Sequence, residues 1–337
     1  MPSVSITATS GEPASVFYNI STPSEVSAKS IDPTLPTILC IHGVYVAQQI
    51  FESQFNDPRL RQFNLLAVDR LGHGDTKGRV TDDYDPLKTA EDMKRVMDAL
   101  KIPYFHILGL GVGTIVAQEL AIAYPQSVKS LTLVSVAPFA EPEGVNQGRK
   151  QVFDYWRQLD ESKDNSFLED IVFGAMQLLF HNHVNHQAKA IRDILLQQCF
   201  RNWMGSEENL IQARYCNLNY YTNRRILTKN ELSMIKAPVQ FFHGSDDVAY
   251  PYEHTVNVAN DHRAVGVEVA GVYKIHGPHN MLLMYPDEIN PRLRDLVLRV
   301  EGRKDKPLAQ EGPLRTPWTD VLTERGFYKP AYDSDSD

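Results

Sequence analysis

The sequence has few cysteines and lacks any long apolar run. Its 337 residues include three cysteines (Cys40, Cys199 and Cys216), an odd number without the spacing of a metal site, which predicts free, reduced thiols. No run of about eighteen apolar residues occurs, so no membrane-spanning helix is expected. The N-terminal segment also lacks the basic stretch and the apolar stretch of a secretory signal. These absences favour a cytoplasmic protein.

An excess of positive charge is also absent. Lys and Arg number 34 against 42 Asp and Glu, and the formal net charge is -8. Because proteins that bind nucleic acid usually present a basic face, nucleic acid is not an expected partner. Hydrophobic residues make up 42% of the chain, which is enough for a sizeable core. The expected partner is a small-molecule substrate.

Short apolar stretches alternate along the chain with stretches that have helical spacing. Helices are predicted between residues 47 and 61, from Asp85 to Leu100 with Pro86 near its start, and from 281 to 300. The strand-like stretches are 4–9, 15–20, 36–43, 63–74, 105–110, 127–137, 237–244 and 267–277. The first two flank a turn and predict a hairpin. The alternation predicts an α/β fold with a mostly parallel sheet and helices on both faces.

Residues 138–236 break this alternation. They contain no clear strand but several helix-like blocks, with helix starts at Ser166 and Ser206. We interpret them as a helical cap inserted between two parts of a core, 1–137 and 237–302.

Residues 303–337 are polar, contain several prolines and end in an acidic Asp-Ser repeat. We expect an irregular tail with one short helix near 319–325, and a solvated acidic end.

Aromatic side chains of the cap region are candidates for a substrate pocket. Tyr45 and three aromatic residues of the cap, Trp156, Phe180 and Trp203, are predicted to line it. The alternative, which applies to each of them singly, is that they pack the interior of the cap. An aromatic lining would suit a small or mid-sized apolar carbonyl compound.

A cluster of glycines follows the strand-like stretch 105–110. Gly109, Gly111 and Gly113 stand between this strand and a helix, in the frame that usually presents a serine nucleophile. Their spacing, G-x-G-x-G, differs from the G-x-G-x-x-G pattern of dinucleotide-binding proteins, and this strand is not the first of the fold. No nucleotide or other cofactor is therefore expected.

Five motifs in order resemble those of the α/β-hydrolase superfamily, and the likeness runs roughly from Val4 to Val300. The chain is similar to its capped members, and the cap and the GPH loop look most like fungal members, some of which act in natural-product pathways. The motifs are CIHGV (40–44), DRLGHGDT (69–76), GLGVG (109–113), HGSDDVAYP (243–251) and HGPHNMLLMYPDEIN (276–290).

The resemblance implies a catalytic acid and a catalytic base. Asp247 matches the acid, because Pro251 follows it at the spacing of the family motif, and Asp246 is the fallback. His279 matches the base, since it precedes the final helix, whereas His276 matches the end of a strand. The histidine of such a pair takes a proton, and the acid holds it in the correct tautomer.

The resemblance also implies an oxyanion hole built from the amides of Val44 and Val112. Gly111 matches the nucleophile position and departs from the family there, because glycine cannot form an acyl-enzyme. Thr114 and Ser135 are poor substitutes, since Thr114 is expected to face away and no feature of the sequence places Ser135 near the base. Glycine suits the turn itself, because it reaches positive φ without strain.

Three hypotheses for function follow. The protein is an enzyme that uses the histidine and aspartate without covalent catalysis, by abstracting a proton beside a carbonyl or by activating water. Alternatively, it is a ligand-binding protein with an inactive site. Alternatively, it is an ordinary serine esterase that carries a serine-to-glycine change at Gly111.

Other histidines are weaker candidates. His181, His183 and His186 are closely spaced, but such histidines are more often exposed than metal-binding, and no metal is expected. His73 is interpreted as a turn residue, and His42 is expected to fix the oxyanion loop by hydrogen bonding.

Overall fold

One eight-stranded sheet organises the chain. The computed structural model describes residues 2–162, 164, 166–181, 185–222, 224–308 and 312–328. The strands are β1 (Ser3–Thr7), β2 (Pro13–Ser21), β3 (Thr37–Ile41), β4 (Asn64–Val68), β5 (Phe105–Leu110), β6 (Val128–Val134), β7 (Val239–Gly244) and β8 (Val269–Ile275).

The strand order is β1-β2-β4-β3-β5-β6-β7-β8. Strands β1 and β2 form the expected hairpin, β2 pairs antiparallel with β4, and all further pairs are parallel. Strands β3, β4 and β5 are buried at every residue, as expected when helices cover both faces of a parallel sheet. The predicted α/β fold with a mostly parallel sheet is confirmed.

Thirteen α-helices lie in the described part of the chain, together with a short 3-10 helix (Gln48–Phe51) and a π-helical turn (Tyr215–Asn219). The α-helices are α1 (Glu52–Phe55), α2 (Pro86–Ala99), α3 (Gly113–Ala123), α4 (Glu143–Ser162), α5 (Ser166–Phe180), α6 (His186–Trp203), α7 (Glu207–Arg214), α8 (Tyr220–Thr222), α9 (Lys229–Leu232), α10 (Tyr252–Ala264), α11 (Met281–Met284), α12 (Pro286–Glu301) and α13 (Thr319–Glu324). None of these described helices has both the length and the apolar character needed to cross a bilayer.

The single closing helix predicted for 281–300 is wrong. Tyr285 leaves the helical conformation, with φ -129° and ψ 49°, and separates α11 from α12. The cause is Pro286, because a residue before proline is disfavoured in the α conformation while proline itself suits the first turn of a helix.

The described residues between β6 and β7 contain helices α4 to α9 and no strand. The two helix starts agree with the sequence: α5 begins at Ser166, and the Ser206 hydroxyl accepts from Asn209 N at 3.2 Å at the start of α7. The division into a cap and two core parts at 138 and 236 remains a prediction.

The C-terminal segment is tied to the core more closely than its composition suggests. Helix α13 is the short helix expected there, while the acidic end lies outside the described residues. Leu314 N donates to Asn56 O at 2.7 Å, and the Trp318 ring lies 4.7 Å from that of Phe55. Leu314, Trp318 and Phe327 are all buried, so this segment contributes apolar contacts to the core.

Thr316 and Tyr328 of this segment donate hydrogen bonds from their hydroxyls to the Glu52 carboxyl group. The burial of Glu52 predicts a pH dependence of stability. Burial raises the pKa of Glu52 to about 7, and hydrogen bonds from Thr316 and Tyr328 offset this only in part. The folded chain therefore binds the Glu52 proton more tightly than the unfolded chain does. The stabilisation is fully present below the ordinary pKa of 4.5 and is lost as pH rises through about 7. Its size is up to about 3 kcal/mol.

We expect the free energy of unfolding of Glu52→Gln to fall less than that of the wild type between about pH 5 and about pH 8. Urea denaturation across this range measures it. Equal slopes for the two proteins would mean that Glu52 does not titrate in this interval.

Candidate active site

Three glycines with different structural roles shape the turn between β5 and α3. A Cβ at Gly113 would lie 2.3 Å from Ile41 O, and one at Gly109 would lie 2.7 Å from Gly113 O. These two glycines therefore allow α3, β5 and the end of β3 to approach closely. Gly111 has φ +56°, a left-handed conformation that favours glycine.

His279 and Asp247 meet beside this turn. Asp247 follows β7 and His279 follows β8, so two neighbouring strands deliver them to the same edge of the sheet. His279 Nδ1 lies 2.7 Å from Asp247 Oδ2, and both side chains are buried. Because an ionised carboxylate only accepts, Nδ1 carries the proton and Nε2 keeps its lone pair.

Asp247 is held as a carboxylate by its neighbours. Its other oxygen, Oδ1, accepts from Ala249 N at 2.9 Å and from Tyr250 N at 3.1 Å. Burial opposes ionisation, but the charge that His279 carries when protonated, with the hydrogen bonds from His279 and Tyr250 N, holds the pKa of Asp247 below its ordinary value. Such a carboxylate orients the imidazole and stabilises it when it becomes charged.

Nε2 of His279 faces Gly111. An ideal Cβ at Gly111 would lie 3.2 Å from Nε2, and its next neighbour would be Gly43 Cα at 3.8 Å. The Thr114 hydroxyl is engaged elsewhere, since it donates to Gly111 O at 2.6 Å. The space beside Nε2 is therefore where a side chain at 111 would begin.

Ser135 lies closer to the histidine loop than the sequence suggested. It has φ +53°, and its hydroxyl donates to the carbonyl of His279. Asn280 N donates to Leu179 O at 2.8 Å, which ties the same loop to α5. These bonds fix the backbone of the loop, and Ser135 is a positioning residue because its hydroxyl is directed to that backbone.

The loop after β3 brings Val44 next to Val112. Both residues are buried, and within the described part of the chain neither amide has an acceptor. Both residues line the same small cavity as Gly111 and His279. An oxyanion hole formed by their two amides remains a prediction.

His42 and Arg70 stabilise the loop after β3 by hydrogen bonds to its backbone. Arg70 N donates to His42 Nε2 at 3.1 Å, so Nδ1 carries the proton and donates to Gly43 O at 2.9 Å. Arg70 Nη2 donates to the same carbonyl at 2.9 Å. Burial and the Arg70 charge hold the pKa of His42 well below its usual value, so it remains neutral.

These groups surround a small inner cavity. Its volume is about 10 Å³, which is the size that holds one water molecule. The lining includes Gly43, Val44, Gly111, Val112, Arg149 and His279.

The two weaker acid and base candidates point elsewhere. The Asp246 carboxylate accepts from the Ser245 hydroxyl at 2.9 Å and lies 3.8 Å from His276 Nδ1. The His276 side chain is 75% exposed, in contrast to that of His279. The geometry therefore separates the pairs: His279 lines the inner cavity and is bonded to Asp247, whereas Asp246 and His276 do not line it.

The four aromatic pocket candidates line two small cavities; Tyr45 lines both of them and also a larger groove between α4, α5 and the loop after β7. Tyr45, Trp156 and Phe180 line an apolar cavity of about 40 Å³ beneath α4, α5 and α6. Trp203 lies on the far side of Tyr45, lines a separate cavity of about 10 Å³, and donates from Nε1 to Gly72 O at 2.9 Å. Trp203 thus also serves to join α6 to the core.

The remaining histidines have structural contacts or lie apart. His73 is buried at a turn, where Nδ1 lies 3.2 Å from Leu71 O. His183 lies outside the described residues, while His181 and His186 flank that gap. Among the described side chains, no group of three or more His, Cys, Asp or Glu converges as a metal site would require.

A family model described as alpha/beta hydrolase fold matches residues 36–269 of this chain. This range includes β3 to β7, every helix from α1 to α10 and the first residue of β8. The chain belongs to the α/β-hydrolase fold family.

Similar sequences within this family carry several different names. A probable lysophospholipase, BODYGUARD 1 of Arabidopsis thaliana, is 25% identical over 72% of this chain and 54% of its own length. A putative 2-succinyl-6-hydroxy-2,4-cyclohexadiene-1-carboxylate synthase of Bacillus subtilis is 28% identical over 33% of this chain and 40% of its own. The chain spans about half the length, or less, of these curated relatives.

Solved structures of α/β-hydrolases share the fold across most of the chain. A thermophilic esterase from Thermogutta terrifontis superposes with a TM-score of 0.68 at 15% identity, over 89% of this chain and 99% of its own. The enol-lactonase from Burkholderia xenovorans gives 0.67 at 15% identity, over 87% and 99%. At these identities the likeness concerns the fold alone.

Sequence reasoning about this α/β-hydrolase missed several residues near the inner cavity. Arg70 stands within the DRLGHG motif, where only its neighbours drew attention. Arg149, Glu141 and Tyr250 come from separate segments of the chain and meet only in three dimensions. Arg149 lies on the apolar side of the amphipathic helix α4. A charged residue in that position was the one available signal in the sequence.

Proposed function

We propose that the protein is an α/β-hydrolase-fold enzyme in which His279 acts as a general base without a covalent nucleophile. Its substrate is a small or mid-sized apolar carbonyl compound. The likeness of the cap and the GPH loop to fungal members supports a role in secondary-metabolite biosynthesis.

The observation that carries this proposal is the small cavity of about 10 Å³ that His279 and Gly111 both line. The space is bordered by the base and by the amides of Val44 and Val112, and an ideal Cβ at Gly111 would be 3.2 Å from Nε2. A general base must lie within hydrogen-bond reach of the proton that it abstracts. The missing side chain gives a water molecule or a substrate atom that access.

Activation of water is the reaction that suits this space first. Nε2 accepts a proton from water, and the water oxygen attacks the substrate carbonyl carbon. The carbonyl oxygen gains negative charge, which the amides of Val44 and Val112 stabilise. His279 then gives its proton to the leaving group, and the Asp247 carboxylate stabilises the imidazolium in between.

Abstraction of a carbon-bound proton is the second candidate. The same base and amides would form and stabilise an enolate, which then attacks a second carbonyl or is reprotonated. The similarity to a putative cyclohexadiene carboxylate synthase, over 33% of the chain, favours keeping this chemistry beside hydrolysis.

His279→Ala is expected to abolish conversion, with a rate loss on the order of 10²- to 10⁴-fold, because general-base catalysis contributes about that much. Esters, lactones and 1,3-dicarbonyl compounds are incubated with the protein in ¹⁸O-labelled water and in D₂O and followed by mass spectrometry. Incorporation of ¹⁸O indicates attack by water, whereas deuterium beside the carbonyl indicates proton abstraction.

The matched control is His276→Ala, which removes an exposed histidine from the same loop. It should retain full activity and normal ligand binding. Conversion that survives in His279→Ala would exclude His279 as the base. Ligand binding without any conversion in the wild type would identify a binding protein.

A further inference from the structure

A buried arginine lies on the route from the surface to the inner cavity. Arg149 and Leu178 line both the inner cavity and a groove of about 470 Å³ between α4, α5 and the loop after β7. Arg149 is 5% exposed, so its charge is removed from bulk water. The arginine therefore stands where a ligand would pass from the groove to His279.

The Arg149 guanidinium is fixed on three sides. Nε donates to Glu141 Oε1 at 3.0 Å, and Nη2 lies 3.5 Å from the Tyr250 hydroxyl. The Tyr221 ring lies under the guanidinium, with 3.8 Å between Cζ and the ring centroid. These contacts fix the direction of the group before any ligand arrives.

The fourth side faces the Tyr45 phenol. Arg149 Nη1 is buried and has no acceptor of good hydrogen-bond geometry among the described residues. Burial raises the pKa of Tyr45 to about 12, and the charge of Arg149 and a hydrogen bond with it oppose that rise, so the phenol lies beside the guanidinium. A buried guanidinium N–H without an acceptor is costly and is typical of a position that a ligand completes.

The local charge also favours an anion. Glu141 pairs with two arginines, since Arg224 Nη1 lies 2.7 Å from its Oε2, and the three residues together keep one positive charge in excess. The other donors of Arg224 reach the carbonyls of Pro138 and Phe139. Arg149 lines both the groove and the inner cavity, whereas Arg224 lines neither, so Arg149 is the arginine that a ligand in the groove would meet.

The only other charged side chain that lines the groove in the described part of the chain is Asp170, which is solvent-exposed. Its charge is screened by water, whereas the excess charge at Arg149 is buried.

We propose that Arg149 binds a carboxylate of the substrate and so makes the protein selective for an apolar carbonyl compound that carries an acid group. This inference rests on the proposed function for the identity of the site, but it concerns binding and not turnover. The carboxylate accepts from Nη1 at the inner end of the groove. The apolar part of the molecule lies among the apolar side chains of the groove, including Val152, Phe173 and Val248. The reactive carbonyl extends from Arg149 the other way, into the inner cavity that His279 lines.

Isothermal titration with 4-phenylbutyrate and its neutral amide tests the carboxylate site. The wild type should bind the acid at least about tenfold more tightly than the amide, equivalent to about 1.4 kcal/mol. Arg149→Gln should remove this difference by weakening the acid alone, and Arg149→Lys should retain part of it, because lysine keeps the charge but loses the planar fork. Glu141 keeps Arg224 as its partner in both variants.

Arg157→Gln is the matched control, since Arg157 lies on the same helix with its side chain 48% exposed. It should keep the preference for the acid. Equal affinities for the acid and the amide in the wild type, no binding of the acid at millimolar concentration, or an unchanged preference in Arg149→Gln would each overturn the proposal. His279→Ala should keep the preference while losing conversion, so failure of the anion site and failure of the base are distinguishable.

Discussion

A Gly111→Ser variant is expected to gain activity toward short p-nitrophenyl esters, on the order of 10⁴-fold over the wild type. The reason for this size is that removing the serine from a complete triad costs a comparable or larger factor. Stopped-flow release of p-nitrophenol measures the gain, and a burst of one equivalent would show formation of an acyl-enzyme.

The geometry around Gly111 explains why a serine would be activated. Its Cβ would lie 3.2 Å from His279 Nε2, which requires the imidazole to move by a few tenths of an ångström, and the hydroxyl oxygen would then lie within hydrogen-bond reach of Nε2. The positive φ of +56° costs a non-glycine residue on the order of 1–3 kcal/mol. We therefore expect this variant to be less stable as well as more active toward esters.

Gly111→Ala is the matched control for this change. It carries the same backbone strain and the same Cβ but no hydroxyl, so its stability should fall equally while no esterase activity appears. A Gly111→Ser variant without esterase activity would show that His279 and the two amides do not form a working site. A gain is also expected if the protein is a serine esterase that carries a serine-to-glycine change at Gly111.

Gly113→Ala is expected to destabilise the protein by about 3 kcal/mol or more, in the upper part of the range for overpacked cores. An alanine Cβ would lie 2.3 Å from Ile41 O and 3.1 Å from His42 O, and these are backbone atoms that cannot rotate away. Helix α3 would have to move away from β3, which would also separate Val112 from Val44. Guanidinium denaturation should show a lower midpoint with an unchanged slope.

The control is Gly144→Ala, at a helical glycine of α4 with no atom within 4 Å of the added Cβ. This change should be neutral or stabilise the protein by up to about 1 kcal/mol, because alanine favours helices over glycine. A Gly113→Ala variant as stable as Gly144→Ala would contradict the close approach of α3 to β3.

The glycine motif shows what could be read from the sequence and what could not. The spacing of Gly109, Gly111 and Gly113 predicted a strand, a turn and a helix, and the structure contains β5 and α3 in those places. The sequence did not reveal that Gly113 allows backbone contact with β3. That contact involves Ile41, which lies about seventy residues away in the chain.

The burial of Arg149, by contrast, depends on tertiary contacts. Arg149 belongs to a long amphipathic helix, and its composition alone favours a solvated surface position. Packing against Tyr221 and Glu141 buries it, and the groove brings a ligand to its side chain. Sequence periodicity predicts one helix or strand at a time. This cluster combines Arg149 of α4, Tyr221 of α8 and Glu141 of the loop before α4.

The sequence by itself determined the alternation of strands and helices, because burial on a parallel sheet requires apolar strands and amphipathic helices. It also indicated Asp247 and His279, because loops at strand ends carry their motifs. The tertiary structure decided that His279 and Gly111 line one small cavity and that Arg149 lines the same cavity. These relations join residues distant in the chain, and packing of α4, α5 and the sheet edge fixes their distances.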